Sequence, residues 1–237
     1  MLKGVLIDYG GTIDTNGRHW ANVIWEAYMS AGVNVTKEQF MNAYAFGEKA
    51  LAINPIIKPY HTFKDVLHLK LAQQLEFLSL KESAEFNKID EMVNYCMEIV
   101  RGTIKKAKPT LDILHARYPM VLVSNFYGNI HAVLRDLHID HYFNGVVESA
   151  IVGVRKPNPE IYRMGVAEID LLPQECVVIG DSFKKDILSG KEAGCKTLWL
   201  NVDGFIEDLE GAGAEVADIQ ITDFSQIPAA LEKLNAN

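Results

Sequence analysis

The sequence predicts an α/β protein: an open parallel sheet covered by helices on both faces and interrupted, after its first strand, by a helical insertion. Three observations carry this reading. After Pro109, short β-branched runs alternate with helical stretches, as strand–helix–strand crossovers require. From about residue 18 to about residue 106 the apolar spacing is helical almost throughout. The N-terminal "GVLID" (residues 4–8) is a strand of the later kind standing ahead of that region, so the sheet is discontinuous in sequence.

The elements follow in order. After the first strand, "ANVIWEAYMSAG" repeats apolar groups at three and four, with Gly32 as the stop. Thr36 and Gln39 form a capping box for the next helix. "FKDVLHLKLAQQLEFL" and "FNKIDEMVNYCMEIV" keep the 3.6 period, with Pro55 and Pro59 marking a loop between helices. Then come "MVLVS", a helix over 129–137, "GVVES", a helix after Pro159, "CVVIGD", a helix over 184–193 and "KTLWLN". Asn158 and Pro159 make an N-cap and a first helical position. "HIDHYF" (138–143) reads as a helix-to-strand turn, and "GAGAEVAD" (211–218) as a surface turn whose lone GxG opens no dinucleotide site.

Composition narrows the function. Hydrophobic residues make up 49% and charged residues 23% of 237, ordinary for a globular protein. A net charge of −8 argues against a nucleic-acid or anionic-membrane partner, and Lys105, Lys106 and Lys108 read as a solvated helix end. No window approaches the roughly 18 apolar residues of a membrane span, and the start carries no secretory pattern. The three cysteines, Cys96, Cys176 and Cys195, are sparse and read as buried thiols, so a cytoplasmic location is expected. The seven histidines show no zinc-helix spacing.

In an open parallel sheet, ligands bind beyond the carboxyl ends of the strands. "VLI" ends in Asp8, "VLV" in Ser124 and Asn125, and "VVIG" in Asp181 and Ser182, while "VGVRKPNP" delivers Lys156 just before a helix start. A single such residue is commonly a turn or a cap, but four converging ones suggest phosphoryl transfer. Asp8 serves as a carboxylate nucleophile. Asp181 and Asp186 supply the hard oxygen ligands that magnesium prefers. Ser124, nearby amides and Lys156 hold the phosphoryl oxygens, and the glycines after Asp8 let the backbone approach closely.

With "DYGGT", "VLVSN", "GVRKPNPEIY" and "GDSFKKDI" followed by "GKEAGCKTLWLN", the chain resembles the haloacid dehalogenase superfamily, in the branch with a helical cap inserted after the first motif. The resemblance covers nearly the whole chain. It implies a Rossmann-like parallel-sheet core (1–16 and 103–237), an inserted α-helical cap (17–102) and a magnesium-dependent phosphatase of a small phosphorylated metabolite, as monomer or homodimer. Carried residue by residue, it implies Asp8 as nucleophile and metal ligand, the Gly10 carbonyl and Asp181 as further ligands, and Asp186 in support of the metal. Ser124, Asn125 and Lys156, with Gly11 and Thr12, would cradle the phosphate.

The departure is Gly10, where such phosphatases usually carry a second aspartate that protonates the leaving group and then activates water. Its loss removes help typically worth about a hundred- to ten-thousandfold. Three alternatives follow: a leaving-group-selective phosphatase suited to acyl and aryl phosphates; a hydrolase like 2-haloacid dehalogenases or phosphonoacetaldehyde hydrolases; or a phosphate- and metal-binding protein without turnover. Phosphonoacetaldehyde hydrolases use a cap lysine, and Lys49 stands at a comparable separation, although a surface lysine is the plainer account. Asp14 reads first as a turn residue in "DTNG". Of the cap aromatics Trp20, Trp25, Tyr28, Phe46 and Tyr60, most are expected in the core.

Overall fold

The computed structural model describes residues 1–202 and 216–236. The first five residues of the "GAGAEVAD" stretch therefore lie outside the described residues. Strand β1 (Gly4–Ile7) is followed by four helices: α1 (Trp20–Ser30), α2 (Lys37–Ile53), α3 (Phe63–Phe77) and α4 (Ile89–His115). Alternation then sets in with β2 (Met120–Ser124), α5 (Ile130–Asp136), β3 (Gly145–Glu148), α6 (Ser149–Val152), α7 (Glu160–Ala167) and β4 (Cys176–Gly180). A π-wound turn, Phe183–Leu188, passes into α8 (Ser189–Glu192), and β5 (Lys196–Leu200), β6 (Ile219–Ile221) and α9 (Ile227–Ala236) close the chain.

All strand pairings are parallel, in the order β3-β2-β1-β4-β5-β6. From β1 the chain steps outward to β2 and β3, then crosses back to β4 and steps outward the other way. The order thus reverses beside β1, which opens a crevice past the carboxyl ends of β1 and β4. All four residues of β1 are buried, because the sheet is covered on both faces. Val5 and Ile7 face the larger core with α4 and α9, whereas Leu6 faces Ile161, Tyr162 and Val166 of α7. The three cysteines are buried and unpaired.

The helices before β2 begin and end as their residues dictate. His19 caps α1 by accepting from the Ala21 amide, and Gly32 at φ +64° follows its last turn. Thr36 with Gln39, and Thr62 with Asp65, form complete capping boxes for α2 and α3.

Two features depart from the sequence reading. Helix α4 runs unbroken across residues 102 and 103 and through Pro109 to His115. An interior proline costs about 3 kcal/mol or more. Beyond it, however, Leu111 and Leu114 are fully buried on the same stripe as Val100, Ile104 and Ala107. Two buried leucines contribute roughly 3–6 kcal/mol, enough to carry the helix on. Strand β6 escaped the reading because "IQI" is too short for a periodic signal, and helix α9 lies beyond the last element predicted. Of the five aromatics, Trp20, Trp25 and Tyr28 pack in the core, while Phe46 and Tyr60 are exposed and Phe46 stacks on Phe77.

Candidate active site

Asp8 is the first residue past β1. Its amide still donates to the Ile179 carbonyl at 3.0 Å, so its carboxylate emerges at the crevice between β1 and β4. The chain then turns back on itself, with the Gly17 amide donating to the Gly11 carbonyl at 2.6 Å. Gly11 sits at φ +97°, and a Cβ there would lie 2.4 Å from an Asp181 carboxylate oxygen, so both conformation and space require glycine. Gly10 is different: a Cβ there would meet nothing within 4 Å. The missing side chain leaves open room.

Lys156 Nζ lies 2.6 Å from Asp8 Oδ1 and 2.8 Å from Asp186 Oδ1. Its backbone is strapped to the loop after β2 from both sides. The Lys156 amide donates to Asn125 Oδ1 at 2.9 Å, and Asn125 Nδ2 donates to the Lys156 carbonyl at 3.0 Å. Asp186 also accepts from the Tyr162 hydroxyl (2.7 Å) and, through Oδ2, from the Ser182 amide (3.0 Å). Both of its oxygens are thereby engaged. Asp181 Oδ1 accepts from the Thr12 hydroxyl at 2.9 Å, its amide donates back to Thr12 Oγ1, and its carbonyl accepts from the Trp199 indole.

Carboxylate oxygens of Asp8, Asp181 and Asp186 lie within 4.8 Å of one another, with the buried Lys156 ammonium bound to two of the three carboxylates. Burial pushes Asp8 up to about 6, with Lys156 pulling it down and Asp186 pushing it further up. Burial, then the neighbouring Asp186 and Asp8, hold Asp181 well above the usual carboxylate range. Burial alone would lower Lys156, but Asp186 and Asp8 carry it above its ordinary value. This donor set of hard oxygens with surplus negative charge fits a divalent cation such as magnesium.

The residues brought together by the sequence reading largely line one cavity of about 1400 Å³: Asp8, Gly10, Gly11, Ser124, Asn125, Lys156, Asp181 and Asp186. Thr12 is fully buried, with its hydroxyl engaged by Asp181. Asp14 lies in the turn after β1 and lines the cavity, where it accepts from the Gly11 amide (2.7 Å) and the Trp20 indole (3.0 Å). Burial raises it to about 7 against the pull of those two donors. Lys49 lines the cavity from α2 and is exposed.

The sequence reading missed the roof. Glu48 of α2 pairs with Lys70 of α3 at 2.5 Å, and the Tyr127 hydroxyl reaches across from the loop after β2 to Glu48 Oε2 at 2.9 Å. The same loop donates from Asn129 Nδ2 to the His61 carbonyl (2.8 Å). It is anchored below by Glu148, whose Oε1 accepts from the amides of Gly128, Asn129 and Ile130. Tyr162 was within reach, since it closes the "KPNPEIY" motif. Glu48 and Lys70 carried no signal, being 22 residues apart within helical text.

Residues 2–194 match the haloacid dehalogenase-like hydrolase family. Among curated relatives, the glyceraldehyde 3-phosphate phosphatase of Pyrococcus furiosus is 34% identical over 102 residues, 43% of this chain and 42% of that protein. The chain thus spans less than half the length of that relative. The pyrophosphatase PpaX of Bacillus velezensis is 27% identical over 200 residues, covering 83% of this chain and 82% of that one. Among solved structures, the HAD-hydrolase YfnB from Bacillus subtilis, bound to magnesium, superposes with a TM-score of 0.61 at 17% identity, over 98% of this chain and 99% of that one. At that identity it speaks for the fold.

Proposed function

This chain belongs to the haloacid dehalogenase-like hydrolase family, and from that premise we propose that it is a magnesium-dependent phosphatase acting on a small phosphorylated metabolite through an aspartyl-phosphate on Asp8. The observation that carries the reading is the floor of the chamber, where Lys156 bridges Asp8 and Asp186 beside Asp181 at the point where the strand order reverses. Asp8 and Asp181 each keep one carboxylate oxygen that no described side chain engages, and these, with the Gly10 carbonyl, would hold the cation. Asp186, with both oxygens engaged, supports that site from behind. When bound, the cation supplies charge that offsets repulsion between the carboxylates and a phosphoryl dianion.

Asp8 attacks phosphorus, forming an acyl–phosphate bond as the bond to the leaving oxygen breaks. Lys156 and Ser124 hold the phosphoryl oxygens while charge shifts between them. Water then attacks the phosphorus, releasing inorganic phosphate and restoring the Asp8 carboxylate. Gly10 offers no acid for the leaving oxygen, so the leaving group takes its proton from solvent. Aryl and acyl phosphates, whose leaving groups are weak bases, therefore suit this floor best. The three carboxylates favour this reading over metal-free dehalogenation.

The test is Asp8→Asn with p-nitrophenyl phosphate and magnesium. Loss of the nucleophile should lower kcat by at least about a thousandfold, leaving only binding and electrostatics. Undiminished magnesium-dependent turnover would remove Asp8 from the mechanism.

A further inference from the structure

The chamber carries more positive charge than its floor and roof engage. Six cationic side chains line it: Lys49, Lys70, Arg155, Lys156, Lys184 and Lys185. Lys156 is bound to Asp8 and Asp186, and Lys70 to Glu48. The other four are exposed, and none makes a salt bridge to a described residue. They come from opposite sides: Lys49 from α2, Arg155 from the connection before α7, and Lys184 and Lys185 from the turn after β4. In a chain of net charge −8, four exposed cations that line one cavity without a salt bridge to a described residue are not a composition effect.

Local structure does not explain them either. Lys184 and Lys185 lie in the short π-wound turn Phe183–Leu188 and make no ion pair with a described residue. The anions of the chamber are committed elsewhere. Asp8, Asp181 and Asp186 form the floor, Asp14 is held by the Gly11 amide and Trp20, and Glu48 is held by Lys70 and Tyr127, with Lys185 only a weaker electrostatic neighbour. What these four cations lack is an anion from outside, and a phosphoryl group seated on the floor leaves most of a cavity of about 1400 Å³ for the remainder of its molecule.

We propose that Lys49, Arg155, Lys184 and Lys185 form a second anion subsite at the chamber rim, so that the substrate is a phosphate compound whose leaving group carries a further anionic group, a carboxylate or a second phosphate. The proposal rests on the phosphatase reading, since the floor must seat the transferred phosphoryl group. The rim then acts on binding of the leaving group and on steering during encounter, with an attraction that salt screens because the four side chains are exposed.

Calorimetric titration of the Asp8→Asn protein, in magnesium, with pairs of ligands differing by one anionic group tests this without turnover. The pairs are phosphoglycolate against ethyl phosphate for a carboxylate, and pyrophosphate against phosphate for a second phosphate. The expected result is at least tenfold tighter binding for the member with the extra anion in one of the pairs. That ratio should shrink when salt is raised from 20 to 200 mM, and should fall to within twofold when Arg155→Gln and Lys185→Gln are added. The pair showing the larger ratio identifies the anion. Equal binding within both pairs, or a ratio that survives the rim substitutions, overturns the subsite while leaving the phosphatase reading intact. Absence of binding by all four ligands, together with no turnover of p-nitrophenyl phosphate by the unsubstituted protein, overturns the phosphatase reading and the rim with it.

Discussion

On the floor of the chamber, Asp186 is held by Lys156, Tyr162 and the Ser182 amide at 2.7–3.0 Å, and the Lys156 backbone exchanges two bonds with the Asn125 side chain. The roof meets the same chamber through one ion pair between two helices; its polar ties to the loop after β2 are Tyr127 to Glu48 and Asn129 to His61, and Phe63 at the start of α3 packs on Tyr9 and Phe126. Floor groups sit at strand ends, where the parallel register of β1 with β2 and β4 fixes their separation. Roof groups sit on helix faces, and their separation depends on how α2 packs on α3. The floor is thus cross-tied by several polar bonds at each group, while the polar groups of the roof depend on one ion pair and on helix packing.

The largest test of this division is Gly10→Asp. A Cβ at Gly10 meets no atom within 4 Å, so the side chain can start from that position without a backbone clash. A proton carrier restored there should raise kcat/KM for an alkyl phosphate by about a hundredfold, the lower end of general acid–base effects. An aryl phosphate, whose leaving group needs no proton, should gain less than about threefold by the same reasoning. Phosphate-release kinetics on matched alkyl and aryl esters give both numbers. Equal gains on the two would mean that the open space at Gly10 is not what limits the floor.

The same contrast governs what the sequence disclosed. Asp8, Ser124, Asn125, Asp181 and Lys156 were legible because an open parallel sheet brings strand ends together whatever the intervening chain does. Asp186 followed from its position one helical turn past Asp181. Glu48 and Lys70 were not legible, since a helical period reports which face is apolar and says nothing of which partner helix a polar residue meets. Asp14 was read as a turn residue and does lie in a turn, but its bond to the Trp20 indole was not legible because it depends on where α1 packs. Pro109 misled in the opposite direction, because local propensity yields to the burial of Leu111 and Leu114.

A second test addresses the roof directly. Glu48→Ala leaves Lys70, whose side chain is 9% exposed, without its carboxylate. Breaking a fully buried pair costs about 3–5 kcal/mol. The Glu48 side chain is 37% exposed to the chamber, and screening reduces the expected loss to about 2 kcal/mol in urea unfolding at pH 7. The loss has a defined pH dependence. Burial alone would raise Glu48, but the Lys70 ammonium outweighs it, and with the Tyr127 hydroxyl holds the carboxyl below its ordinary 4.5. A depressed folded value means that this stability is present above 4.5 and disappears as pH falls through the lowered value. The difference between the Glu48→Ala and unsubstituted proteins should therefore be steady from pH 7 to 5 and shrink on further acidification. A difference that grows towards acid would contradict the pairing.

The smallest effect probes how far the roof can loosen before the floor feels it. Helix α2, which carries Glu48 and Lys49, begins at the capping box of Thr36 and Gln39, with the Thr36 amide donating to Gln39 Oε1 at 2.8 Å and the Gln39 amide to Thr36 Oγ1 at 3.2 Å. Thr36→Ala removes one of these bonds at an exposed helix start and should cost about 1 kcal/mol. Glu48 lies 12 residues further on and is held independently by Lys70 and Tyr127, so fraying of the first turn need not reach the chamber. The expected outcome is a lower unfolding midpoint with kcat/KM for p-nitrophenyl phosphate changed by less than about twofold, as for a surface change outside the site. A larger fall in kcat/KM at that small stability cost would mean that the start of α2 governs how the roof sits on the floor, and the two layers would then have to be treated as one mechanical unit.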